Sequence, residues 1–334
     1  MQHQNDESMT IKRLFLTGGT GFFGKSLLRY WIQQSTQGKS VPAVTLMSRS
    51  PDAFLASYPE FVGLPWLTLV KGDVTMPKTF PTELNCSHIL HAATDSTNGP
   101  MLTPLERFNQ IVDGTRNVLD FAHRVEATRF LLTSSGGVYG PQPEKMERIP
   151  EDYNGMPDPL QPSHAYSVAK RTAEHLCALY GDAFGIEILV ARCFAFVGPD
   201  LPLDAHFAIG NFIADAVAGR QITIKGNGLP IRSYLDQSDL ATWLLTILEH
   251  GQSGRPYNVG SDQAITLLEL ANMVAETVHP KVPVQVLDTG IDAGNFRRRY
   301  VPDITRASKE LGLTVTVPLH EAIKRAVMAA RGAD

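Results

Sequence analysis

The stretch TGGTGFFGKS, Thr17 to Ser26, follows the apolar run IKRLFLT (11–17) and opens FFGKSLLRYWIQQ (22–34). In the second run Phe23, Leu27, Leu28, Trp31 and Ile32 recur along one helical face. A strand therefore precedes the stretch and a helix follows it, and Gly18, Gly21 and Gly24 fill the turn between them. A turn so stripped of side chains lets backbone N–H groups approach a ligand at the positive end of the helix dipole, which is how a pyrophosphate is held. The spacing is Gly-x-x-Gly-x-x-Gly and departs from the usual Gly-x-Gly-x-x-Gly fingerprint, so the glycines alone also suit an ordinary tight turn. Their position directly after the first strand favours the phosphate cradle.

Outward from this turn the chain alternates. AVTLM (43–47), WLTLV (66–70), HILHAA (88–93), RFLLTSS (129–135) and IEILVARCF (186–194) are short apolar runs, as strands buried on both faces require. Helices are expected over 104–125 and 164–184, and right-handed crossovers then give a Rossmann-type α/β fold with a doubly wound parallel sheet. Beyond residue 195 the pattern becomes irregular. We expect a nucleotide-binding domain over 11–195 with a returning segment near 233–260, and a smaller C-terminal substrate-binding lobe over 196–232 and 261–334. The polar MQHQNDESMT (1–10) reads as a flexible tail rather than a signal peptide.

Composition narrows the partners. A formal net charge of −4, with Lys and Arg scattered, gives no basic footprint for nucleic acid or an anionic membrane surface. No apolar run approaches the roughly 20 residues that cross a bilayer. The three cysteines, Cys86, Cys177 and Cys193, have no Cys-x-x-Cys spacing, so neither a disulfide framework nor a metal site is expected, and a reducing cytoplasm suits the chain. Cys193 reads as a small buried hydrophobe.

Two further segments carry chemistry. HAYSVAKRTAEHL sets Tyr166 and Lys170 four residues apart, on one helix face. An ammonium beside a phenol favours the phenolate and makes it a usable proton donor or acceptor near neutrality; the pair alone could equally be a surface helix pair. LLTSSGGVYG places Ser134 and Ser135 at a strand end on the carboxyl side of the sheet, where a hydroxyl can share a substrate oxygen with Tyr166 or simply cap a turn.

Together these elements resemble the extended short-chain dehydrogenase/reductases, specifically the nucleotide-sugar epimerase, dehydratase and reductase family. The resemblance runs from TGGTGFFG through HAAT, FNQIVDGTRNVLDFA, SSGGVYG and YSVAK to GNFIADAVAGRQITIKGNGLPIRSYLDQSDLA and RRRYVPDITRASKELGL. It implies that Gly18, Gly21 and Gly24, flanked by Phe22 and Phe23, hold the cofactor pyrophosphate. It further implies that Ser48 and Arg49 end the second strand beside the ribose, that Asp73 and Val74 lie by the adenine, and that Ala92, Ala93 and Thr94 line the cofactor. Ser135, Tyr166 and Lys170 would form the catalytic trio; Asn211 and Arg232 would grip a sugar-nucleotide diphosphate, with His206 and His164 as further candidates at the substrate. Arg suits that task because its planar fork matches phosphate oxygens. The resemblance also implies a homodimer.

Within that family the reaction turns on two residues. Dehydrating relatives carry Asp and Glu directly after the position of Ser135, and decarboxylating relatives carry Glu at the second place; here stand Gly136 and Gly137. A glycine moves no proton, so 4,6-dehydration and decarboxylation are disfavoured. Reduction of a 4-keto group and epimerisation at C4 both remain. TLMSRS (45–50) ends the second strand with Ser48 and Arg49 instead of the acidic residue that holds a ribose 2′-hydroxyl, which favours NADP(H) over NAD(H). The expected activity is therefore NADPH-dependent reduction of a nucleoside-diphospho-4-keto-6-deoxyhexose. A 4-epimerase retaining NAD, a non-catalytic NADP-binding sensor and a reductase of another carbonyl are the alternatives. The segment ARCFAFVGP carries Ala195 where relatives often have an Asn near the sugar phosphate, so either Asn211 carries that contact or the sugar sits differently.

Overall fold

The computed structural model describes residues 11–94, 101–203, 207–288 and 298–332. The apolar runs become parallel strands: β1 (Arg13–Thr17), β2 (Ala43–Ser48), β3 (Leu67–Lys71), β4 (His88–His91), β5 (Arg129–Ser135), β6 (Glu187–Cys193) and, late in the chain, β11 (Pro256–Val259). They form one sheet in the order β11-β6-β5-β4-β1-β2-β3. Successive residues of β1 serve opposite layers. Leu14 and Leu16 pack with Leu27, Leu28 and Trp31 of α1 (Phe22–Thr36), while Phe15 packs with Ile89, Phe121 and Phe130 on the other side. Apolar side chains on both faces are what a sheet covered twice by helices demands.

Helix α3 (Pro104–Arg124) begins with Pro104 behind a capping box between Thr103 and Glu106. Helix α4 (Ala165–Phe184) stops at Gly185, whose φ of 71° is left-handed. These two lie on one face of the sheet; α1 and α6 (Gln237–His250) lie on the other. The order reverses at β1, flanked by β2 and β4, and ligands of open α/β sheets bind outside the carboxyl ends at such a reversal. The glycine turn lies at that point.

The elements fall close to their expected places. The strand expected over 88–93 ends at His91, leaving Ala92 to Thr94 as non-strand backbone, and the helix expected from 164 starts one residue later. After β6 a second core forms around Ile209, Phe212 and Ile213 of α5 (Ala208–Val217), Leu270 and Val274 of α7 (Leu267–Glu276), and Ile323 and Val327 of α9 (Leu319–Arg331). Beside it, β9 (Ile231–Arg232) pairs with β12 (Ile265–Thr266) and with β14 (Arg299–Tyr300).

One buried polar cluster ties this second group to the main sheet. Asp200, in the segment after β7 (Phe196–Val197), lies 3.2 Å from Lys25 Nζ and accepts from Arg29 at 2.9 and 3.1 Å, with Gln237 donating to the same carboxylate. Lys25 also donates to the Tyr58 hydroxyl at 2.9 Å. The periodicity of α1 gives no hint that Lys25 is buried; partners from distant segments make it tolerable.

Candidate active site

Gly18, Gly24 and Gly21, three of the four glycines of the first turn, stand in three different surroundings. Gly18 has φ of 72°, and a Cβ there would stand 2.3 Å from the Ala92 carbonyl oxygen, so β1 can lie against the segment after β4 only without a side chain. At Gly24 a Cβ would fall 2.1 Å from Gly19 Cα, which fixes the close approach of helix and turn. Gly21 is different, since a Cβ there meets nothing nearer than the Gly18 oxygen at 3.5 Å. The fold itself does not demand a bare backbone at Gly21. It caps α1 with no side-chain hydrogen bond, and the first turn of the helix carries no acidic residue. The leading N–H groups of α1 are thus left for an anion, and the cradle fits the pyrophosphate of a dinucleotide.

The register carries the remaining cofactor candidates to the same edge. Thr17 pairs with Met47 on β2 and with His91 on β4, so the residues just beyond these pairs, Ser48 and Arg49 on one side and Ala92 to Thr94 on the other, flank the glycine turn. Arg49 is exposed. Asp73 and Val74 follow β3. One Asp73 oxygen accepts from Thr75 N and Oγ1, both at 2.8 Å, and Asn117 of α3 donates to the Val74 carbonyl at 2.8 Å. Phe22 and Phe23 are half-buried against the main core.

Lys170 is 3 % exposed, and its ammonium donates to Thr94 Oγ1 at 2.7 Å and to the Thr133 carbonyl at 2.8 Å. Those bonds tie α4 to the ends of β4 and β5. Burial pushes Lys170 down to about 8, against the opposing pull of Cys193 and Glu174. Tyr166 stands one turn earlier, and the Arg107 guanidinium of α3 lies 4.4 Å from its ring centroid. Pleating separates the two serines. Ser134 donates to Glu174, whereas Ser135 Oγ accepts from Gly137 N at 3.1 Å. Ser135 therefore caps the short turn Gly136–Tyr139, as a turn serine does, and still has its own proton to donate. Cys193 is buried, and burial pushes its thiol up to about 12, as suits an inert core residue.

From the second group of elements, Arg232 on β9 pairs in register with Tyr300 on β14. A Cβ on Gly136 would lie 2.6 Å from the Tyr300 hydroxyl and 2.8 Å from the Phe194 ring. Backbone pairing thus sets Arg232 next to Tyr300, whose hydroxyl lies against Gly136, the residue after Ser135. Asn211 is exposed near the start of α5, His164 precedes α4 with Nδ1 3.2 Å from the Asp158 carbonyl, and His206 lies outside the described residues. Tyr300, Phe194 and Arg107 were not singled out by spacing, because each arrives by tertiary approach and no local pattern marks it.

Comparison with known proteins agrees with this architecture. Over 314 residues the chain is 31% identical to UDP-glucuronic acid decarboxylase 5 of Arabidopsis thaliana, covering 93% of this chain and 87% of that one. Its fold is similar to that of dTDP-glucose 4,6-dehydratase from Bacillus anthracis, solved in complex with NAD, at a TM-score of 0.80 and 18% identity over 97% of both chains. It is similar as well to UDP-glucuronic acid 4-epimerase from Bacillus cereus, solved with UDP-glucuronic acid and NAD, at 0.79 and 20% identity over 96% of this chain and all of that one. Among the described residues no helix is long and apolar enough to cross a membrane. Residues 14–260 match the NAD dependent epimerase/dehydratase family, and the chain belongs to it.

Proposed function

We propose that this protein carries out hydride transfer at C4 of a nucleoside-diphosphate hexose, as an NADPH-dependent reductase of a 4-keto-6-deoxy sugar. The observation that carries the reading is the turn after Ser135. It offers the Ser135 hydroxyl at the carboxyl end of β5, the strand whose Thr133 carbonyl holds Lys170, but no acid or base at Gly136 or Gly137, and the space beyond Gly136 is taken by Tyr300 and Phe194. The likeness to UDP-glucuronic acid decarboxylases supports a nucleotide-sugar substrate, while Gly137 weighs against the loss of carbon dioxide.

In this reading the cofactor supplies the hydride when bound, and the chain does the rest. Tyr166 gives the proton to the carbonyl oxygen, Ser135 donates a hydrogen bond to that oxygen as charge develops, and the Lys170 ammonium keeps the phenol acidic and holds the nicotinamide ribose. Arg49 takes the 2′-phosphate, Gly18, Gly21 and Gly24 take the pyrophosphate, and Asp73 and Val74 lie by the adenine. Asn211 and Arg232, with His206, take the sugar nucleotide in the second group of elements, which serves as the substrate lobe. We infer a homodimer as well, checked by light scattering on the purified chain.

A second reading is favoured by the family's NAD dependence: a 4-epimerase that retains NAD through a closed redox cycle. One experiment separates the two. The protein is assayed with NADPH and a dTDP- or UDP-4-keto-6-deoxyhexose, with UDP-glucose and no added cofactor, and with UDP-glucuronic acid and NAD⁺. Stoichiometric NADPH oxidation in the first arm alone is the expected result. Interconversion of hexoses without added cofactor gives the epimerase, and release of carbon dioxide overturns the reading of Gly137.

A further inference from the structure

Behind the reactive edge of β5 lies a polar cluster that the trio does not use. Glu174 sits one turn beyond Lys170 on α4. Its carboxylate accepts from Ser134 on β5, and from Arg192 on β6 twice, Nε at 3.1 Å and Nη2 at 2.8 Å. The pair is partly buried, with both side chains 13 % exposed. Arg192 reaches onward to the Glu151 carbonyl at 3.1 Å and lies over the Tyr139 ring. Burial works against its charge, but the hydrogen bonds and charge of Glu174 outweigh that and raise it. One carboxylate thus fastens the helix bearing Tyr166 and Lys170 to the two strands whose ends carry Ser135 and Cys193. A two-pronged ion pair fixes direction as well as distance.

We infer that Glu174 is a positioning residue for this reaction: through Ser134 and Arg192 it sets the height of α4 on the sheet, and it holds a carboxylate one turn from the buried Lys170 ammonium. The inference rests on the proposed roles of Tyr166 and Lys170. The groups facing Lys170 are Glu174 and Cys177 on its own helix, Arg107 on α3, His91 on β4, and Thr133 and Cys193 on β5 and β6. His91 is held neutral by burial, its value pushed down to about 3, and the thiols are kept protonated by burial. Glu174, ion-paired with Arg192, is therefore the carboxylate of this set, and its removal makes the Lys170 ammonium more costly.

The test compares full-length wild type, Glu174→Gln and Lys170→Met, reading cofactor affinity against pH by nicotinamide fluorescence, steady-state turnover against pH, and thermal melting. In Glu174→Gln we expect kcat to fall about tenfold with KM for the sugar nucleotide nearly unchanged. We also expect the alkaline limb to move about half a pH unit or more to lower pH, because the protonated amine has lost its anion. A purely structural residue would lower the melting temperature and leave the limb in place. An unmoved limb with wild-type kcat in folded Glu174→Gln overturns the inference alone, provided the limb vanishes in Lys170→Met; a limb that survives Lys170→Met overturns the assignment of Lys170 itself. Should Glu174→Gln fail to fold, Ser134→Ala removes one of the bonds to the carboxylate. Its limb should move the same way by less, and a wild-type limb there counts against the inference.

Discussion

The cradle at the first turn and the side-chain cluster around Ser135 meet along one sheet edge, yet they are built in opposite ways. The cradle is made of backbone and depends on side chains being absent, at Gly18 against Ala92 and at Gly24 against Gly19. The cluster is made of side chains delivered from α3, α4, β5 and β14, each held by partners far away in sequence. Adding atoms should damage the first, and removing atoms should damage the second. Gly136 crosses that division, for it is a glycine in the cluster whose missing side chain makes room for Tyr300 and Phe194.

Removing one oxygen should have the largest effect: Tyr166→Phe is expected to cut turnover about 10²- to 10⁴-fold with cofactor affinity unchanged, measured by stopped assay and fluorescence titration. Substantial turnover in that variant would locate the acid elsewhere, with His164 the next residue to test. Adding one carbon to the cradle, in Gly24→Ala, is expected to cost about 3 kcal/mol of stability, since the clash is with backbone that cannot turn aside. Calorimetry showing a wild-type melt would break the contrast. Changing charge at the rim, in Arg49→Asp, is expected to weaken NADPH relative to NADH by about 10- to 100-fold, the worth of a charge-assisted phosphate contact. Equal use of both cofactors by the wild type would remove that role. Smallest is Gly136→Ala, about 1–2 kcal/mol, because its neighbours are ring edges able to shift. The cost should shrink when combined with Tyr300→Ala, and additive costs would show that the two do not share that space.

The sheet and the cradle were legible because their signals are local. Apolar runs of strand length, glycines at a strand end and a Tyr four residues before a Lys can each be read within a short window. The resemblance named Ser135, but the run TSS by itself gives the pleat no reference point; only with β5 in place does Ser134 meet Glu174 and Ser135 the turn after it. Nor could spacing reveal Tyr300, which reaches Gly136 only because β14 pairs with β9, or Arg107 over the Tyr166 ring. Lys25 shows the same limit in the core, where a charged residue in a helix pattern reads as surface until Asp200 and Tyr58 are brought to it.

That last cluster makes the connection between the two groups of elements a joint whose pin is a negative charge. Burial works against the Asp200 carboxylate, but Arg29, Lys25 and Gln237 outweigh it and hold it below its ordinary 3.8. A carboxyl depressed on folding contributes stability that is fully present above its unfolded value and is lost as pH falls through the folded one. In strong acid the pin is withdrawn and two cations of α1 are left facing each other, so this seam should part before either core melts. Amide exchange followed down an acid series should show it, with protection lost first around Lys25 and in the segment from Gly198 to Leu203.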